Sequence, residues 1–374
     1  MRKQIVLLLP LLLGTFGLMS QRATKYSNEF LNLGVGARAM GMSNTAVAVT
    51  QDAYAGYWNP AGLTHIEENL QVAFMHSAYF NALANYDYLS IATKPTENSA
   101  FGFTVLRFGV DGILNTFDLI RNGEINYDRI SQFSAVDYAF MLHYAQDISI
   151  RSLRKYAFFE DAKVSWGTNA KLINRKAGPF ATAWGFGLDF GVQMTELKGG
   201  WSFAAMGRDV TTTFNSWRYN FTEAQQDVLA ITGNEIPVNT LEITLPRLLL
   251  GAAKKFEFSA FDILAATDFE FTTDGRRNTL VKSGVVSIDP RVGVEFDYKL
   301  PDPQNRVYVR MGVGNFQKEM KRDGSKSTTT FMPTIGVGLK IKQFVLDYAL
   351  SDIGDQSAAL YSNVISIRVG INGK

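Results

Sequence analysis

The chain has 374 residues, with 37 Lys and Arg against 35 Asp and Glu, and no cysteine. A net charge of +2 argues against a nucleic-acid binder. The lack of thiols excludes disulfides, a lipoprotein anchor, a thiolate metal site and a cysteine nucleophile.

The opening "MRKQIVLLLPLLLGTFGLMSQ" sets Arg2 and Lys3 before an apolar run, Ile5–Leu13, and then small residues up to Ser20. This is the layout of a secretory signal peptide over residues 1–20, with cleavage expected near Ser20–Gln21 or after Thr15-Phe16-Gly17. The apolar run is too short to span a bilayer as a helix, and no later window approaches the roughly 18 apolar residues required. If the chain lives in a membrane, it does so as strands.

Residues 21–69 carry few bulky side chains. Asn32–Ser43 reads "NLGVGARAMGMS" and Asp52–Leu63 reads "DAYAGYWNPAGL". So much Gly, Ala and Met cannot build a core of its own; it suits the filling of a space that something else encloses. Asn59-Pro60 favours a turn, Ala61 and Gly62 follow it, and Trp58 supplies a bulky anchor. Met40, Met42 and Val47 are the side chains that would line a lumenal pocket if apolar compounds passed; plain packing is the alternative.

From residue 70 onward, apolar and polar residues alternate with period two. In "FDILAATDFEF", Phe261, Ile263 and Phe269 share a face opposite Asp262, Asp268 and Glu270. In "KVSWGTNAKLI", Val164, Trp166 and Leu172 oppose Ser165, Asn169 and Lys171, and "VISIRVGI" ends the pattern with Ile365 and Ile367 opposite Ser366 and Arg368. The spacing predicts about fourteen strands: 70–80, 86–93, 99–108, 132–145, 163–175, 181–193, 200–208, 240–254, 261–271, 292–299, 306–315, 331–341, 343–350 and 361–371. The phase changes at Pro246, which predicts a bulge or bend.

The connections argue independently. With the first strand running outward, the inner turns are short ("KPTEN", "TELKGG", "LPDPQN"), whereas Gly109–Ser131, Asp209–Asn239, Thr272–Arg291 and Phe316–Thr330 are long outer loops. That asymmetry belongs to outer-membrane barrels. The exception is 146–162, a long basic-aromatic stretch on the inner side, either a partner contact or a missed strand.

A soluble sandwich or propeller would alternate too. Three features favour a transmembrane barrel over 70–374. No sizeable amphipathic helix covers a sheet (Thr222–Leu229 is the best candidate), the polar faces interleave charge with Gly as in a filled lumen, and closure removes edges. In a barrel this wide the wall side chains alone cannot fill the lumen, so 21–69 is expected inside as a plug.

At these residues the chain resembles a known family. "LGVGARAMGMSNTAVAVTQDAYAGYWNPAGL" is similar to the N-terminal hatch of FadL-like barrels, with Asn59-Pro60-Ala61 in place, and more closely to the PorV/PorQ outer-membrane proteins of Bacteroidetes. "FGVDGILNT", "RDVTTTFNSW", "TGNEIP", "TLPRLLLGAA" and "KSGVVSIDPRVGVEFDY" extend the likeness over most of the chain. The resemblance implies a fourteen-stranded barrel with a hatch at Trp58–Gly62, working beside the type IX secretion translocon. The final Asn372-Gly373-Lys374 departs from the aromatic ending that usually directs barrel assembly.

Chemistry is sparse. His65, His76 and His143 lack metal-ligand spacing. "DFEFTTDG" lacks the alternating oxygens of a calcium loop, and the Gly-rich runs precede no helix that would make a phosphate loop. His143 is expected as a hydrogen-bonded lumenal residue, with no enzyme and no cofactor. Outer-membrane lipid is the expected surrounding. Two functions are open: a secretion accessory whose long loops, with the basic Lys318–Lys326, hold a substrate or translocon subunit, or a passive transporter of hydrophobic small molecules.

Overall fold

Local alternation becomes a closed cylinder. The computed structural model describes residues 27–372 except 80–82, 122, 151, 154, 274–278, 284, 321–326 and 352–361. The expected signal peptide, and residues 321–326 of the basic loop run, lie outside the described residues. Fourteen antiparallel strands form the wall. They are β1 Leu70–Tyr79, β2 Ala84–Thr96, β3 Ser99–Asn115, β4 Ser131–Ile148, β5 Lys163–Ala177 and β6 Ala181–Leu197. Two interrupted strands follow: β7, Trp201–Arg208 with Thr213–Tyr219, and β8, Leu241–Thr244 with Arg247–Glu257. The wall is completed by β9 Phe261–Thr272, β10 Ser287–Lys299, β11 Asn305–Met320, β12 Ser327–Ile341, β13 Phe344–Ser351 and β14 Ser362–Ile371. The last strand pairs with the first, from Leu70 opposite Ile371 to Ala78 opposite Asn363, so no edge is left open.

The two faces are inverted relative to a soluble protein. On β9, Asp268 and Glu270 are only 2% and 6% exposed, while Phe269 between them is 40% exposed. On β14 Ser366 is buried and Ile365 and Ile367 are exposed; on β5 Asn169 and Lys171 are buried and Leu172 is exposed. Large apolar side chains facing outward along nearly every strand have one stable surrounding, lipid. Backbone pairing around the closed sheet satisfies the main-chain polar groups that lipid cannot.

The expected strand order holds, with strands reaching farther than their sequence limits. β3 runs to Asn115 and β11 to Met320, because register shifts at Val110/Ile113 and Gly314/Gln317 break the sequence period while the pairing continues beyond them. The segment expected as the loop Asp209–Asn239 contains the second half of β7. Asp209 and Thr212 take left-handed φ angles of 54° and 60°, which break the period for four residues before pairing resumes at Thr213. The bend expected at Pro246 is the facing gap in β8.

Most connections sort as expected: 97–98, 198–200, 258–260, 300–304 and 342–343 are short inner turns, and 116–130, 220–240 and 273–286 are long outer loops. The expected outer loop Phe316–Thr330 is instead largely strand, with Gln317–Met320 paired to Ser327–Thr330. The long inner stretch closes over 149–162 as a connection with one 3-10 turn, Ala157–Phe159, and no strand among the described residues. In the outer loop 220–240 lies a helix, Glu223–Ile231, started by a capping box between Thr222 and Gln225.

Candidate functional site

The lumen is occupied by residues 27–66, which fold as short turns: Glu29–Asn32, Ala37–Met40, Ala55–Trp58 and Pro60–His65. None is long enough to be stable alone; each is held by the wall. Small side chains let the segment's backbone approach the strands. Pro60 and Ala61 sit so close to Gly167 that a Cβ there would lie 2.5 Å from Pro60 C, and one at Gly293 would lie 2.7 Å from Met42. The glycines on the polar faces of the strands are therefore seats for the plug.

The residues expected to form a hatch motif come together as a fastening. Asn59 is fully buried; its amide donates to Val192 O on β6 at 3.0 Å, and its Oδ1 accepts from Ala61 N, capping the turn that Pro60 begins. Trp58 Nε1 donates to Val35 O at 2.9 Å, tying two plug turns together. The Arg208 guanidinium of β7 lies over the Tyr57 and Trp58 rings at 4.6 and 5.4 Å. Gly62 packs against Thr50 O, where no side chain fits.

Met40, Met42 and Val47 do not share a pocket. Met40 belongs to the apolar cluster with Phe30, Tyr57 and Trp58, whereas Met42 and Val47 pack with Met206 and Leu249 on the wall. The free space beside Met42 is about 10 Å³, at the lower limit of what admits a single water and far too little for a small organic molecule.

Sequence reasoning missed the ionic clamps, because their members are far apart in the chain. Arg38 donates from Nε and Nη2 to the two Glu295 oxygens at 2.9 and 2.8 Å. Glu295 also accepts from Arg310, which reaches Asp347 at 2.7 Å. Burial by itself would lower the Arg38 pKa, yet the Glu295 charge and hydrogen bonds hold it above the usual arginine value, so the clamp stays charged. Asp268 accepts from both Ala46 N and Val47 N, at 2.7 and 3.0 Å. A second cluster joins Lys171 of β5 to Asp189 and Asp209 behind the break in β7. Burial raises the Tyr54 hydroxyl well above the ordinary tyrosine value, keeping it a neutral donor to Phe74 O.

His143 is the lumenal histidine expected. Its Nδ1 meets Asn169 Oδ1 at 2.7 Å and its Nε2 meets Thr104 Oγ1 at 2.8 Å. Hydroxyl, imidazole and amide stand in the order of a hydrolase triad, but Thr104 is fully buried beneath the plug, where no substrate reaches it. His76 pairs with Asp87, and among the described residues no cluster of His and carboxylates is arranged to hold a metal.

Three larger cavities border the plug; the recess and vestibule are predominantly polar, while the outer cup mixes charged groups with Leu33, Met40, Tyr79 and Met332. An outer cup of about 530 Å³ lies among Asn44, Arg247, Asp289 and Gln317. A recess of about 380 Å³ beside the clamp shares Gln51, Glu67 and Lys255 with an inner vestibule of about 1070 Å³.

A closed, outward-apolar barrel with a folded N-terminal plug defines the class: a FadL-like barrel of the outer-membrane type. Solved structures agree in fold. The toluene transporter TbuX of Ralstonia pickettii matches with a TM-score of 0.51 at 14% identity, covering 91% of this chain and 99% of its own. The toluene transporter TodX of P. putida matches with a TM-score of 0.52 at 11% identity, over 91% and 99%. The CymD monoaromatic hydrocarbon channel matches with a TM-score of 0.50 at 13% identity, over 91% and 98%. No curated protein matches. Residues 18–163 match the family model described as "Type IX secretion system protein PorV". That match spans the plug and β1–β4, so this part of the chain is similar to the PorV family.

Proposed function

We propose that this protein is an accessory component of type IX secretion, exported by residues 1–20 and plugged by 21–69. In this reading it holds a secreted substrate or a translocon subunit at the cell surface through its outer loops. The observation that carries it is the shut lumen. Clamps at Arg38, Asp268 and Asn59 tie the plug to different sectors of the wall, and the space beside Met42 is only about 10 Å³. The free surface lies outside instead. Ile120, Ile125 and Tyr127 stand exposed on a two-stranded tip between β3 and β4, and Ile231 and Val238 stand exposed in the loop 220–240. Exposed aliphatic and aromatic side chains on loop tips beyond the lipid belt are features of a protein interface.

Passive transport of hydrophobic small molecules draws support from the fold shared with TbuX and TodX, and meets an obstacle in the polar recess and vestibule on the inner side of the plug. The test is cross-linking in native outer membranes followed by mass spectrometry. A translocon subunit or secreted protein should be recovered with the parent chain and lost with Ile231→Ser/Val238→Ser. Recovery unchanged by that variant would refute the loop assignment.

A further inference from the structure

The plug does not meet the wall alike on all sides. Against β1–β6 it packs through Tyr54, Tyr57, Trp58 and the turn Pro60–His65, several side chains deep. Against β9–β13 its contacts are made by smaller residues: the helix Ala37–Met40 on β12 and β13, the turn Gly41–Ser43 on β10–β12, and Ala46 and Val47 on Asp268 of β9. Inward positions two apart along each strand pass from recess to contact to cup. On β10 these are Glu295, Gly293 and Arg291; on β13 they are Asp347, Ala349 and Ser351. On β11, Arg310 borders the recess, Gly312 meets the Met42–Ser43 backbone, and Gln317 lies in the cup. On β12, Gly336 touches Gly41.

The contact layer is the turn Gly41–Ser43 pressed on Gly293, Gly312 and Gly336. Its polar attachment to the wall is slight: Thr334 Oγ1 donates to Gly41 O at 3.1 Å and accepts from Ser43 N at 2.9 Å. Ser43 and Asn44 both hold left-handed φ angles, 54° and 61°, a conformation that non-glycine residues adopt at a cost and that marks switch regions. Water-sized space reaches this turn from the cup of about 530 Å³, which Ser43 lines, and on the other side the recess of about 380 Å³ begins at Arg38, Glu295 and Arg310, one inward position along the strands. The recess continues into the inner vestibule through Gln51, Glu67 and Lys255.

We propose that Gly41–Ser43 is the gate of a polar pathway beside β9–β13, one that admits small hydrated cations. The lining sets the class. Six carboxylates face four cationic side chains in the recess, so anions are disfavoured, and apolar solutes would strip water from charged walls with nothing in return. The glycine seats leave room for a path on the β10–β12 side once the turn lifts, because Gly293, Gly312 and Gly336 present no side chain there.

This does not rest on the secretion reading, and the two fail separately: one in cross-linking, the other in conductance. The full chain is reconstituted into planar bilayers in potassium chloride, and heat-dependent gel mobility confirms a folded barrel for each variant. The parent should be silent or open rarely. Thr334→Val, which removes both attachments and keeps the shape, should raise the open fraction about tenfold, the factor that roughly 1.4 kcal/mol of lost hydrogen bonding carries. Met42→Gly should open further, with a reversal potential that reports potassium over chloride. Leu63→Ala, a cavity on the β1–β6 side, should leave the barrel closed. Folded Thr334→Val and Met42→Gly barrels that conduct no more than the parent would overturn the gate. So would Leu63→Ala conducting as well as Met42→Gly, or chloride passing in preference to potassium.

Discussion

The clamp around Glu295 gives a quantitative test of how the plug is held. Glu295 accepts two hydrogen bonds from Arg38 and one from Arg310, and only Asp347 remains to balance Arg310 if its charge is removed. Its side chain is 6% exposed and that of Arg310 1%, so water does little to replace the lost partner; Arg38, at 29%, recovers part of its hydration from the recess. Breaking a buried pair from one side typically costs 3–5 kcal/mol. With the discount for Arg38, Glu295→Gln should destabilise the plugged barrel by about 3 kcal/mol. Adding Arg38→Met removes the surplus cation and leaves Arg310 matched to Asp347, so the double variant should regain about 1–2 kcal/mol. Equilibrium urea unfolding in lipid vesicles, followed by tryptophan fluorescence, reads both values, and trypsin cleavage at Arg38 reports release of the plug. A single variant within about 0.5 kcal/mol of the parent, or a double variant less stable than the single, would refute this account.

Other expectations follow from single contacts. Asn59→Ala loses the bond to Val192 O and the cap on Ala61 N, and should cost about 1–3 kcal/mol in the same unfolding assay. Gly167→Val drives a side chain into Pro60 and Ala61 and should loosen the plug by about 1–3 kcal/mol, seen as faster proteolysis of 27–66 in a barrel that still migrates as folded. Burial lowers the pKa of His65 below the ordinary value, against the favourable charges of Asp147 and Glu196 and with the unfavourable ones of Lys163 and Lys94. Below about pH 6.5 the unfolded chain therefore takes up a proton that the folded chain declines, so stability should fall as pH drops from there toward the lowered folded value. His65→Gln should flatten that slope between the two pH values, and an unchanged slope would assign the acid sensitivity to other groups.

Much of this was legible in the residues because a strand's two faces are a local property. The buried Ser165, Asn169 and Lys171 and the exposed Leu172 occupy the sides that alternation gives them. The break at Pro246 was readable for the same reason, since a missing N–H interrupts a ladder wherever it falls. The matching break in β7 was not: nothing in Asp209–Thr212 announces left-handed backbone, and the following "TFNSW" looks like loop until Thr213 and Phe214 find Thr244 and Ile243 beside them. The Trp58–Gly62 motif was visible as a turn with an anchor. Its partners, Val192 and Gly167, were not.

By itself the sequence determined a membrane-facing β-barrel of about fourteen strands, short turns on one side and long loops on the other, and a small-residue segment in need of an enclosure. Those follow from period-two patterning and composition, which any short window of the chain carries. Only the tertiary structure decided that Gly312 meets Met42, that Arg38 finds Glu295, and that the plug's large aromatics gather against β1–β6 while small residues face β10–β12. Such pairings join residues more than two hundred positions apart. They depend on how the wall closes and where the plug's backbone runs within it, and no local pattern encodes either.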